Sequence, residues 1–144
     1  MKTTIRPANS TPVFRFIGPA RGSGVECKFF TRSKSATKGY KIYDTINEAK
    51  KARARQDKAY RSKLAPKPGA LFIAITGKKR LRLGYGYQTQ VAKRANYWVY
   101  TRQYEKVREG LNKLGIPTWD MGMRNCGQIG KRLVMVDFGN ASCG

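Results

Sequence analysis

The segment that most restricts this chain's fold begins at Thr45. Thr45-Ile-Asn-Glu48 is a capping box: the threonine oxygen satisfies a free amide of the first helical turn and the glutamate reaches back to the cap. Beyond it Ala49, Ala52, Gln56, Ala59 and Tyr60 fall on one helical face, while Lys50, Lys51, Arg53, Arg55 and Lys58 lie mostly outside it. Pro66 and Pro68 end the segment. The flanking segments read as short strands: Val13–Ile17, Val25–Thr31 and Tyr40–Tyr43 before the helix, Leu71–Thr76 and Arg80–Tyr87 after it. Gly77-Lys78-Lys79 predicts a hairpin between the last two. A second helix is expected from about Thr101 to Leu114, with Tyr104, Val107, Leu111 and Leu114 as its apolar stripe. Gly115 suits its C′ position, and Pro117 follows. Leu133–Val136 is a last strand. The order β-β-β-α-β-β-α-loop-β is an α+β pattern. It implies a flexible arm over 1–12 and one domain over 13–144.

Charge narrows the partners. The chain has 30 Lys and Arg against 8 Asp and Glu, a formal net charge of +22. Such a surplus points to an acidic partner: nucleic acid, a nucleotide, an acidic protein or a membrane surface, with composition alone favouring nucleic acid. There is no histidine, which excludes Ser-His and Cys-His catalysis and every His-ligated metal. Cys27, Cys126 and Cys143 form no C-x-x-C pair, so reduced thiols are expected rather than a zinc site or a disulfide framework. No stretch approaches transmembrane length and the first residues lack the apolar core of a signal peptide. A cytoplasmic protein without membrane contact is expected, in the host cytoplasm if the chain is of phage origin.

Toward the C-terminus, Asp120 is followed by Asn125 in a D-x4-N pattern, and Asp137-Phe138-Gly139 follows. This order resembles the protein-kinase-like superfamily, and the resemblance covers roughly Val13 to Gly139. It implies a small lobe over 13–87, made of an antiparallel sheet plus one helix. A minimal C-terminal part would occupy 88–144, with the hinge, one helix, the catalytic loop and the magnesium strand. By the same resemblance Asp120 would orient the nucleophile, and Asn125 and Asp137 would hold Mg²⁺ against the phosphates of ATP. Trp119 stands where typical kinases carry Arg.

Two glycine clusters compete for the loop that covers the phosphates. Gly84-Tyr-Gly86 is too close to Asp120 to leave room for the intervening elements. Gly18 to Gly24, between two strands and with Gly22-Ser23-Gly24 at its tip, is the better candidate because small residues let backbone amides approach phosphate. Lys41 matches the phosphate-pairing lysine. The acid that holds it in kinases has no obvious counterpart, since capping already accounts for Glu48. Gln56, the polar residue on the inward helix face, is the candidate partner of Lys41, because inward polar groups need one. Glutamine can hydrogen-bond a lysine but cannot neutralise it. Tyr87–Ala92, with Gln90, resembles the hinge whose backbone would read adenine.

The resemblance therefore implies a minimal kinase-like ATP/Mg²⁺-dependent phosphotransferase or a nucleotide-binding pseudokinase. Five residues follow the DFG, so substrate-docking helices are not expected within the chain: it is a minimal phosphotransferase, a degenerate relative that binds without turnover, or one completed by a partner chain. The alternative is a non-catalytic, strongly basic binding module for nucleic acid or an acidic protein. Aromatics near basic residues, Tyr85, Tyr87, Tyr97, Trp98 and Tyr100, would then stack on bases.

Overall fold

A computed structural model describes residues 2–5, 12–16, 22–23, 27–31, 33, 35–77, 81–118 and 121–137; for 2–5, 22–23 and 123 it describes the backbone alone. The larger sheet contains β1 (Lys2–Ile5), β2 (Val13–Phe16), β3 (Gly22–Ser23), β4 (Cys27–Thr31), β5 (Lys38–Tyr43), β6 (Pro68–Thr76) and β7 (Arg82–Gln90), in the order β1-β2-β6-β7-β5-β4-β3. Helix α1 (Ile46–Arg61) connects β5 to β6. The smaller sheet has the order β10-β9-β8, from β8 (Lys93–Arg94), β9 (Cys126–Ile129) and β10 (Arg132–Met135). Helix α2 (Tyr97–Lys113) runs between β8 and a 3₁₀ turn at Met123–Asn125. The architecture is α+β, as expected.

The large sheet differs from expectation in two details, and helix α2 begins at Tyr97 rather than near Thr101. The large sheet is mixed rather than antiparallel, because β2 lies parallel to β6, with Val13 opposite Ile73 and Phe16 opposite Thr76. The long passage through β3, β4, β5 and α1 supplies the crossover that a parallel pair requires. Lys2–Ile5, inside the stretch expected to be an arm, pairs antiparallel with β2.

The large sheet curls. Phe16 on β2 and Phe30 on β4 have ring centroids 4.8 Å apart, although β6, β7 and β5 lie between their strands. Four ladder steps in a flat sheet would separate them by roughly 19 Å. The concave face closes on an aromatic cluster of Phe16, Phe30, Tyr40, Ile42, Phe72 and Ala74. Gly84 and Gly86 make that closure possible. A Cβ at Gly86 would strike the carbonyl oxygen of Lys41 and lie 2.9 Å from Phe72 Cζ; one at Gly84 would lie 2.9 Å from Ile42 Cγ2. These glycines thus serve sheet curvature within β7, in agreement with their rejection as a phosphate loop.

Helix α1 covers the opposite face. Thr45 caps it as expected, its Oγ1 accepting from the Glu48 amide at 3.2 Å. Its buried residues are Ala49, Ala52, Gln56 and Ala59, the face read from periodicity. Ala49 and Ala52 pack with Cys27, Tyr43 and Tyr87. A separate core joins α2 to the small sheet through Val99, Val107, Leu111, Leu133 and Met135, and Ala59 and Ala65 extend into it. A backbone bond ties the two regions together, Met135 N donating to Leu64 O at 2.9 Å; within the second region Val136 N donates to Asn125 O at 2.9 Å. Cys27 is disulfide-bonded, which corrects the expectation of reduced thiols at that position; Cys126 is free and buried.

Gly86→Ala should therefore cost on the order of 1–3 kcal/mol or more, since the backbone of β5 must move to admit the methyl group. Gly122→Ala, where no atom of the described residues lies within 4 Å of the added carbon, is the control. Urea unfolding of both variants checks this: similar midpoints would mean that curvature does not depend on Gly86.

Candidate functional site

Between the large sheet and the β9–β10 region lies a cleft lined by Phe29, Lys41, Pro66, Thr89, Gln90, Val91, Ala92, Arg124, Asn125, Val136 and Asp137. Four residues singled out from sequence, Lys41, Gln90, Asn125 and Asp137, thus share one cavity. It encloses about 140 Å³, close to the roughly 150 Å³ that admits a benzene ring in an engineered cavity. A volume of that size holds a group no larger than a small ring.

Lys41 reaches the cleft because strand alternation divides β5 between two faces. Tyr40 and Ile42 enter the aromatic cluster, and Lys41 and Tyr43 turn toward α1. There Lys41 Nζ donates to Gln56 Oε1 at 3.1 Å and to the Val136 carbonyl. It also lies 5.8 Å from the centroid of the Tyr87 ring. The partnership of Lys41 with Gln56, inferred from helix geometry, is present.

Gln56 is 0 % exposed and its amide is fully used. Oε1 accepts from Lys41 and from the Tyr87 hydroxyl at 2.7 Å. Nε2 donates to Pro66 O at 3.0 Å and Thr89 Oγ1 at 2.7 Å. Two acceptor sites and two donors are all that a glutamine amide offers. Burial holds the Tyr87 phenol well above its ordinary range, so it remains protonated and able to donate.

Asn125 and Asp137 approach from the other wall. Asn125 ends the 3₁₀ turn, and Asp137 follows β10 by two residues. Both are buried, at 1 % and 7 % exposure. The bond from Val136 N to Asn125 O fixes one segment against the other, and Tyr104 Oη donates to Met121 O at 2.8 Å, tying the preceding loop to α2. Burial pushes the Lys41 ammonium down to about 8, and the charge of Asp137 opposes that shift.

In chemical type, the Asp137 carboxylate and the Asn125 amide oxygen are ligands that a hard divalent cation accepts. A carboxylate and an amide oxygen suffice where phosphates and water complete the shell, as Mg²⁺ prefers. Among the described residues no group of three or more His, Cys, Asp or Glu side chains gathers. Cys126 offers no nucleophile, since burial pushes its thiol up to about 11.

The remaining candidates stand differently. Gly22 and Ser23 lie on β3, opposite Phe29 and Lys28 of β4, and Phe29 lines the cleft. Gly24 and Asp120 lie outside the described residues, as do Phe138 and Gly139. Gln90 lines the cleft, but its amide donates to Lys67 O and its carbonyl accepts from Thr89 Oγ1. The Val91 amide donates to Thr37 O. Base reading by these amides, expected from the resemblance to a hinge, has no open donor at either residue. Sequence reading overlooked Thr89 and Tyr87 as supports of Gln56, although Tyr85, Tyr87 and Thr89 share one strand parity. It also overlooked Arg124, a cation exposed at the cleft.

No protein-family model matches the chain, and no curated protein matches it.

The sign of the Lys41 shift gives a stability test. Its folded value of about 8 lies below the ordinary lysine value of 10.5, so the unfolded chain binds the proton more tightly. The stability of the wild type relative to Lys41→Met should rise with pH across this window, by on the order of 3 kcal/mol. Chemical denaturation of both proteins over that range checks it. A constant difference would mean that Lys41 is not held in a desolvated site.

Proposed function

We propose that the cleft binds the phosphates of a nucleotide together with Mg²⁺, and that the chain acts as a kinase-like phosphotransferase or a nucleotide-binding pseudokinase. The observation that carries this reading is convergence. Lys41, Asn125 and Asp137 come from β5, the 3₁₀ turn and the segment after β10, yet line one cavity.

In this reading Asp137 and Asn125 would hold the metal, and the metal would neutralise charge on the phosphate oxygens. Lys41 would direct its ammonium at the same phosphates, its head held by Gln56. A bound phosphate brings negative charge to Lys41 and favours its protonated form. Arg124 supplies a second cation at the cleft. The transfer step itself would rest on Asp120, which the resemblance assigns to the nucleophile; binding requires only the described residues.

A thermal-shift measurement tests this. ATP with Mg²⁺ should raise the wild-type melting temperature by several degrees at concentrations well above Kd. The metal-dependent part of that shift should vanish in Asp137→Ala. Its metal dependence is the discriminating quantity, because free ATP is a polyanion that any chain of charge +22 attracts. A shift that is larger without Mg²⁺ and survives in Asp137→Ala would overturn the proposal.

A further inference from the structure

The start of α2 carries two aromatic side chains that the core does not use. Tyr97 is 63 % exposed and Trp98 is 68 % exposed. Their rings sit edge to face, with centroids 5.5 Å apart. Large apolar side chains are normally withdrawn from water when a core can take them. Here Val99, Val107 and Leu111 fill that role on the same helix.

Their surroundings are cationic. Only Ala95 and Asn96 separate Trp98 and Tyr97 from β8, whose Lys93 and Arg94 are both exposed. This junction is pinned: Asn96 N donates to Gln128 Oε1 at 2.6 Å, and Asn96 Oδ1 accepts from Trp98 N at 2.9 Å. Arg102 is exposed one turn beyond Trp98. Gln103 Nε2 donates to Lys131 O at 2.8 Å, which holds the β9–β10 turn and its exposed Lys131 beside the helix. Residues 93–104 and 121–136 contain no acidic side chain. On this helix face the first acid is Glu105, two turns past Trp98.

We propose that Tyr97 and Trp98, framed by Lys93, Arg94, Arg102 and Lys131, form a docking surface for single-stranded nucleic acid. Exposed aromatic faces stack on unpaired bases without regard to sequence, and neighbouring cations follow the phosphates. An acidic peptide would need the cations alone and would leave the two rings unused. The surface is independent of the metal and nucleotide reading, since it shares no residue with the group holding Lys41.

Fluorescence anisotropy of a labelled oligothymidylate at low salt provides the test. The wild type should bind, with affinity falling steeply as salt rises. The double variant Tyr97→Ala/Trp98→Ala, which alters no charge, should bind at least about tenfold more weakly. Trp98→Phe, which keeps a stacking face, should retain most of the affinity. Lys50→Ala/Lys51→Ala, on the exposed side of α1, should weaken binding less than the aromatic double variant. Circular dichroism melts should match the wild type, because both rings lie at the surface. Wild-type affinity in the aromatic double variant, or displacement of the oligonucleotide by polyglutamate at equal charge concentration, would overturn the assignment.

Discussion

The buried amide of Gln56 is the contact on which the rest of the structure turns. Four hydrogen bonds join α1 to Lys41 on β5, to Tyr87 and Thr89 on β7, and to the carbonyl of Pro66. Through Lys41 the connection continues to the Val136 carbonyl, next to Asp137. One helix residue thereby sets the position of a sheet lysine relative to the acid across the cleft. Every polar atom of that amide is satisfied, so replacing it with an apolar residue would strand several buried partners at once.

Placing glutamine rather than an acid beside Lys41 has an electrostatic consequence. Gln56 orients the ammonium without neutralising it; Asp137 supplies an opposing charge, yet burial still lowers the proton affinity of Lys41. A ligand that brings negative charge would relieve that penalty. Affinity for an anion is thus built into the desolvation of Lys41, whereas most of the remaining positive charge lies where water screens it. The cleft and the Tyr97–Trp98 surface accordingly call on different physics, a dry oriented cation in one and a wet field with stacking faces in the other.

Much of this was legible in the chain. The capping box located α1, and a spacing of three and four residues placed Gln56 on its inner face. The proximity of Asn125 and Asp137 was suggested by their order. What the sequence concealed had local causes. Helix α2 begins at Tyr97 rather than near Thr101, because its cap is Asn96 and its first turn is bulky and aromatic. Strands β8 and β9 are two and four residues long, too short for alternation to show. The parallel pairing of β2 with β6 and the curl enabled by Gly84 and Gly86 depend on strands distant in the chain. The commitment of the Gln90 and Val91 amides to Lys67 and Thr37 is tertiary and leaves no local mark.

The central claim is that metal and phosphates meet between Lys41, Asn125 and Asp137. Paramagnetic broadening of backbone amide signals by Mn²⁺·ATP, with Mn²⁺ standing for Mg²⁺, locates the metal directly. The account predicts that substoichiometric Mn²⁺·ATP first erases signals from residues around Asn125, Val136 and Lys41, and leaves those of Tyr97 and Trp98 intact. Broadening spread over the basic surface, with the cleft signals unaffected, would contradict it.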